Sequence, residues 1–226
     1  MAIPLPDGLA TPALVVDPDV LDRNVARMAE ASRAQGFALR PHAKSHKCAR
    51  IADRQLRSGA RGLSVATIGE AEAFARAGVD DLFIAYPVWL DADKARRLRR
   101  LADDVALRVG VESVEGARRL GDALRGSDRA VEVLVEVDSG SRRTGVRPDA
   151  AGEVGKAAAD EGLDWSACSP SRGMATATTP ARGSGPHGTR SARWGRPRRG
   201  CGTSGSTSVW SAAGRPRPWG SGGPAR

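Results

Sequence analysis

The sequence predicts an α/β fold: an incomplete (β/α)8 barrel followed by a tail of a different kind. Three observations carry this. Short β-branched runs begin roughly every 20–26 residues, each trailed by a helical pattern, which is the rhythm of βα units in a parallel sheet. About six such runs fit before residue 165, whereas a closed barrel of eight units takes about 250 residues. Beyond residue 165 the composition changes abruptly. A doubly wound sheet shares the rhythm, but no G-x-G-x-x-G follows the first run, which disfavours a dinucleotide fold.

The elements follow in order. "ALVVD" (13–17) reads as a buried strand. Asp17 then caps a helix with Pro18 at its first position and Gly36 past its end. Leu21, Val25 and Met28 give that helix one apolar face. "FALRPHA" (37–43) is the second strand, followed by a helix to about Leu56. "GLSVA" (62–66) is the third, and Thr67 with Glu70 forms a capping box for a helix ending near Gly78. "DLFIAY" (81–86), "VALRVGV" (105–111) and "VEVLVEV" (131–137) continue the series.

The formal charge of +9 would suggest a nucleic acid or an anionic membrane as partner. Its location removes that inference. Residues 166–226 carry 10 Arg and no Lys, Asp or Glu, while residues 1–165 hold the other 25 basic residues against all 26 acidic ones. The tail has no Leu, Ile or Phe, but has 12 Gly and 7 Pro, so disorder is expected there. Without Lys or an ordered stacking platform, it makes a poor nucleic-acid binder. Cys48, Cys168 and Cys201 form no pattern, which suggests a reducing, cytoplasmic compartment. No signal peptide or membrane-length apolar run is seen.

The densest chemical cluster is "RPHAKSHK" (40–47), at the C-terminal end of a strand, where barrel enzymes place catalytic groups. Strand alternation would put His42, Lys44 and His46 on one side. A lysine among apolar walls and other cations is disfavoured in its charged form, and a neutral amine is what Schiff-base chemistry requires. A solvated basic loop is the competing reading. His42 and His46 alone are too few ligands for a metal site. The second cluster is "EVDSGSRRTGV" (136–146), where Gly140 and Gly145 allow tight turns and close approach to a ligand, and an Arg could hold a phenolate, carboxylate or phosphate. A surface loop with a solvated Arg pair competes with this. Tyr86, the only tyrosine, ends a strand and could face the same rim, or could be core with a wet hydroxyl. Glu70 and Glu72 read as cap and surface, and Cys48 lies in no motif.

Taken together, "TPALVVDPDVLDRNVARMA", "LRPHAKSHKCARIADRQL", "GLSVATIGEAEAFARAGVDDLFIAYPV" and "VEVDSGSRRTGV" resemble the D-threonine aldolase and D-serine dehydratase-like proteins. These are pyridoxal-phosphate enzymes with the TIM-type barrel of the alanine racemase N-terminal type. The resemblance spans residue 10 to about 165 in unbroken order, and "PHAKSHK" is its most specific part. It implies that Lys44 holds the cofactor as a Schiff base and that Arg143 bonds the cofactor's phenolic oxygen, with His42 and Tyr86 as further candidates for the cofactor site. It implies a small D-amino acid as substrate. The activity would be cleavage of a D-3-hydroxy amino acid to glycine and an aldehyde; alternatives are dehydration with loss of ammonia, racemisation, or a non-catalytic cofactor-carrier role. The intact form would be a homodimer, and its divalent metal would sit in a C-terminal part this chain lacks.

The family pattern breaks after Trp165. A segment like "GVFTFPGHGY" and a glycine-serine loop like "VSGGSPTALG", which would cradle phosphate through backbone N–H groups, are expected next. Neither is present. Deleting one base from codons for the first and regrouping gives A-C-S-P-S-R-G-M-A-T, the residues Ala167 to Thr176. At the same offset, codons for Trp210 to Gly220 read V-S-G-G-S-P-T-A-L-G. Residues 1–165 are therefore read as a partial cofactor-binding barrel, and 166–226 as out-of-frame translation. An open parallel sheet exposes an edge and an apolar face, so the chain as written is expected to be unstable, to hold little cofactor and to have little activity.

Overall fold

The computed structural model describes residues 7–170, apart from Ser139 and Ser141. Residues 171–226, with the disorder and lost frame expected of them, lie outside the described residues; residues 166–170, where the disordered tail was expected to begin, instead form a paired strand.

Five strands form one parallel sheet in chain order: β1 (Leu63–Val65), β2 (Asp81–Ile84), β3 (Ala106–Val111), β4 (Glu132–Val137) and β5 (Asp164–Pro170). Between them run α3 (Ile68–Arg76), α4 (Ala92–Asp104), α5 (Val114–Leu124) and α6 (Ala151–Asp160), preceded by α1 (Pro18–Ala34) and α2 (Ala49–Arg57). Parallel neighbours need a crossover each, and the helices supply it. The sheet is part of a barrel wall, as the rhythm of the sequence implied.

Alternation along the strands divides the core in two. Leu63, Val65, Leu82, Ile84, Val109, Val133 and Val135 face the helices and pack with Ile68, Phe74, Leu98, Leu101, Leu120 and Val154. Full burial of each such side chain stabilises by roughly 1.5–3 kcal/mol. The opposite face carries Ser64, Phe83, Arg108, Gly110, Leu134 and Glu136, all at the alternate positions. At its N-terminal end the charges alternate across strands. Arg40, only 1% exposed, pairs with Asp81 at 2.8 Å; Asp81 also meets Arg108, whose Nε lies 2.6 Å from Glu132. Gly62 leaves the space for this: a Cβ there would lie 2.4 Å from the Arg40 guanidinium and 2.3 Å from the Asp81 carbonyl.

Helix α1 forms as its caps dictate. The Asp17 carboxylate accepts from the N–H groups of Asp19 at 2.9 Å and Val20 at 3.1 Å, Pro18 opens the first turn, and Gly36 follows the end at φ 72°. Two expected strands come out differently. Residues 13–17 are not a buried strand: Leu14 is 99% exposed and Val15 and Val16 are exposed too. In a closed barrel the first strand is held by the last, and no described residue supplies that neighbour. Residues 37–43 reach the sheet through the bridge His42–Ser64, backbone bonds from Arg61 to Leu39 and Ser64 to Pro41, and the Arg40–Asp81 pair. The chain then turns into a short 3-10 helix, Ala43–Ser45, so the expected alternation of His42, Lys44 and His46 stops at His42.

Strand β5 was not anticipated. It starts before residue 165 and runs past it, pairing with β4 through a register shift at Val133–Leu134 that leaves Ser166 as the extra residue. Trp165 is set by Gly155 of α6, where a Cβ would lie 2.7 Å from the indole.

Candidate active site at the strand C-termini

Because the strands are parallel, their C-terminal ends share one rim. Lys44 lies just past the edge segment, Thr67 past β1, Tyr86 past β2, Glu112 past β3 and Asp138 past β4.

The "PHAKSHK" loop is folded by its own histidines. His42 Nδ1 accepts from the Lys44 N–H at 3.3 Å, and His46 Nδ1 from the Cys48 N–H at 3.1 Å. The histidine spacing thus repeats one local turn device, an acceptor for the N–H two residues on. It also fixes the neutral tautomer with its proton on Nε2. Burial, then the neighbouring Lys44, lowers the His42 pKa from 6.5 to about 4. Burial likewise lowers that of His46, whose ring meets Phe74 edge-on.

Glu70 does more than cap. Thr67 Oγ1 accepts from the Glu70 N–H at 3.1 Å, and Glu70 Oε2 accepts from the Ala66 N–H at 2.8 Å. Its other oxygen holds Lys47 at 3.1 Å, locking the loop to the start of α3. Burial alone would raise the Glu70 pKa, but Ala66 and Lys47 hold it below the usual range. Glu72 grips Arg97 of α4 through two bonds of 2.8 and 2.7 Å, so it joins two helices. Neither partner could be read from local spacing.

Lys44 is exposed, at the edge of a cavity whose walls include Leu21, Val25, Met28, Leu39 and Pro41. Its ionic surroundings are nevertheless distinctive. The chain has four lysines. Lys47 pairs with Glu70, Lys94 with Asp91 and Lys156 with Asp160; Lys44 alone has no ion-pair partner among the described residues.

The second loop is also built from within. One Asp138 carboxylate oxygen accepts from the N–H groups of Gly140 at 2.8 Å and Arg142 at 3.0 Å. The Asp138 N–H donates to the Val146 carbonyl and the Val146 N–H to the Glu136 carbonyl, closing the excursion at the end of β4. Gly145, at φ 96°, lets the two arms meet: a Cβ would lie 2.7 Å from the Asp138 nitrogen. The structure gives it a role in the approach of chain to chain. The Gly145 N–H donates to Glu112 Oε2 at 2.6 Å. Arg143 lies over the exposed Tyr86 ring, 6.0 Å from its centroid. Tyr86 therefore faces the rim rather than the core. Among the described residues no three His, Cys, Asp or Glu side chains converge on a metal position. No described helix is long and apolar enough to cross a membrane.

The alanine racemase N-terminal domain model matches residues 16–168. The chain belongs to that family. Its members are pyridoxal-phosphate enzymes, aldolases and dehydratases among them. An uncharacterized protein of Mycobacterium tuberculosis is 46% identical over 99 residues, covering 44% of this chain and 58% of its own. D-threo-3-hydroxyaspartate dehydratase of Delftia sp. is 39% identical over 142 residues, covering 62% of this chain and 37% of its own. The crystal structure of D-threonine aldolase from Filomicrobium marinum superposes with a TM-score of 0.67 at 37% identity, covering 70% of this chain and 43% of that one. The chain therefore spans between 37% and 58% of the length of these relatives.

Proposed function

We propose that residues 7–170 are the cofactor-holding portion of a pyridoxal-phosphate lyase acting on D-3-hydroxy amino acids, with retro-aldol cleavage to glycine and an aldehyde as its reaction. The observation that carries this is the rim itself. Lys44, alone among the lysines in having no ion pair, stands on the same rim as Arg143. An amine without a carboxylate to hold its proton is the group a carbonyl cofactor needs. The residues fit the cofactor: an amine, a guanidinium held over Tyr86, and a buried carboxyl oxygen of Glu136 with no partner among the described residues.

Each residue has a part that this geometry supports. His42 fixes the root of Lys44 by accepting its backbone N–H, so the amine swings from an anchored base. Glu70 keeps Lys47 away from the site by pairing with it. Arg143, which lies over Tyr86 beside the Asp138-centred turn, would bind a phenolic oxygen by a charge-assisted bond. When bound, pyridoxal phosphate supplies the electron sink that makes bonds at the amino acid's Cα breakable. A divalent metal and the phosphate cradle would be held by parts outside the described residues, and little turnover is proposed for residues 7–170 alone.

A second reading, dehydration with loss of ammonia, is favoured by the 39% identity to the Delftia dehydratase, which matches the likeness to the aldolase. Product analysis separates the two. With the reading frame restored after Trp165, D-threonine should yield glycine and acetaldehyde and no ammonia, and Lys44→Ala should abolish this. Ammonia release would establish the dehydratase instead, and tight cofactor binding with neither product would establish a carrier.

A further inference from the structure

The inner face of β4 ends on a carboxyl group to which the proposed chemistry assigns no step. Glu136 is 6% exposed. Its Oε1 accepts from the Thr144 hydroxyl at 2.8 Å, while its Oε2 is buried with no hydrogen-bond partner among the described residues. Leaving a buried polar oxygen unmet is unfavourable. The group is not misplaced: its backbone carbonyl takes the Val146 N–H that closes the loop, so its position is fixed from two sides. It lies on the strand face opposite Val135 and Val137, away from the helices.

Every charged group around Glu136 can be named. Burial is the first cause that raises its pKa, and Glu112 at the end of β3 and Asp138 in the loop add to it; Thr144 and Arg143 act the other way without reversing the result. Two carboxylates on adjacent strand ends disfavour a second negative charge between them. These surroundings favour the protonated carboxyl, which has one O–H to donate.

We propose that Glu136 is a ligand-contacting residue of this rim: Thr144 fixes one carboxyl oxygen, and the other, Oε2, donates a proton-bearing hydrogen bond to an anionic oxygen of a small molecule bound beside Arg143. The oxyanion thereby receives one guanidinium and one O–H. The phenolate of the pyridoxal cofactor and the carboxylate of an amino acid both have this chemistry. The choice of these two rests on the proposed function; the acid and its free oxygen do not.

The test is a carboxyl 13C NMR titration of the full chain labelled at glutamate, the Glu136 resonance being the one lost in Glu136→Gln. Without ligand, Glu136 should titrate above the other glutamates; an ordinary midpoint overturns the proposal. Thr144→Val removes a bond that favours the ionised form, so it should move the midpoint further up with an unchanged circular dichroism spectrum, and no movement counts against the geometry. Pyridoxal 5′-phosphate or D-threonine is then added separately in excess near the Glu136 midpoint. A shift toward the acid form with the first assigns the phenolate, and with the second alone the carboxylate. Neither moving it overturns the proposal. Borohydride reduction in parallel reports on Lys44. A Glu136 response to D-threonine with no pyridoxyl label on Lys44 would refute the cofactor reading and leave this one standing.

Discussion

At the scale of single residues, His42 shows how local chemistry serves the rim. Its folded pKa of about 4 lies below the free value of 6.5, so between these limits the unfolded chain binds the extra proton. The stability owed to neutral His42 is complete above that window, falls as pH drops through it, and changes no further below it. His42→Asn keeps an acceptor for the Lys44 N–H but cannot titrate. Urea denaturation at about pH 7 and about pH 4.5 should therefore show a smaller acid-induced loss for this variant than for the parent. Equal losses would remove the cap from the account. The Arg40–Asp81–Arg108–Glu132 chain makes a second prediction. Asp81→Asn leaves Arg40 buried with its charge uncompensated, and breaking such a pair costs about 3–5 kcal/mol. A shift of the denaturation midpoint corresponding to under about 1 kcal/mol would show that water reaches Arg40.

At the scale of elements, what was legible in the sequence was what local rules determine. The α1 caps at Asp17 and Pro18 and the central strands rest on spacing and propensity alone and form as read; of the Thr67–Glu70 box the Thr67 half forms, while the Glu70 carboxylate takes the Ala66 N–H in place of that of Thr67. Residues 13–17 have the composition of a strand but not the neighbour that would make them one, and composition cannot report a neighbour. The "PHAKSHK" loop was legible as a cluster but not as geometry, because the histidines bond backward into their own turn instead of alternating along a strand. Glu136 was visible only as an acid at a strand end; its bond from Thr144 and its burial arise only when the chain returns at residues 144–146. Strand β5 escaped notice because pairing is a backbone property, and Trp165 needs Gly155, ten positions earlier, to seat it. Gly155→Ala should accordingly displace the indole and destabilise the α6–β5 packing by about 1–3 kcal/mol, read as a lower urea midpoint with altered tryptophan fluorescence. Unchanged fluorescence would mean that α6 absorbs the methyl group by moving.

At the scale of the whole molecule, a five-stranded parallel sheet with one exposed apolar run, Leu14 to Val16, is a barrel wall rather than a barrel. The family match runs to residue 168, and the extra residue in β5 is Ser166, beside the codons at which we place the lost base. Sequencing the gene across the codons for Ser166 and Ala167 should show that insertion of one base restores the glycine-serine loop downstream; a shifted frame that yields no family sequence would refute this. Out-of-frame translation would leave the basic tail without information about partners. The central claim is that Lys44 is the lysine that holds the cofactor, and one measurement reaches it most directly. The chain in its restored frame is incubated with pyridoxal 5′-phosphate, reduced with borohydride, and digested for peptide mapping by mass spectrometry. The account predicts one pyridoxyl group, on Lys44, with Lys47, Lys94 and Lys156 left unmodified behind their carboxylates. A label on any of those three with Lys44 unmodified would contradict it.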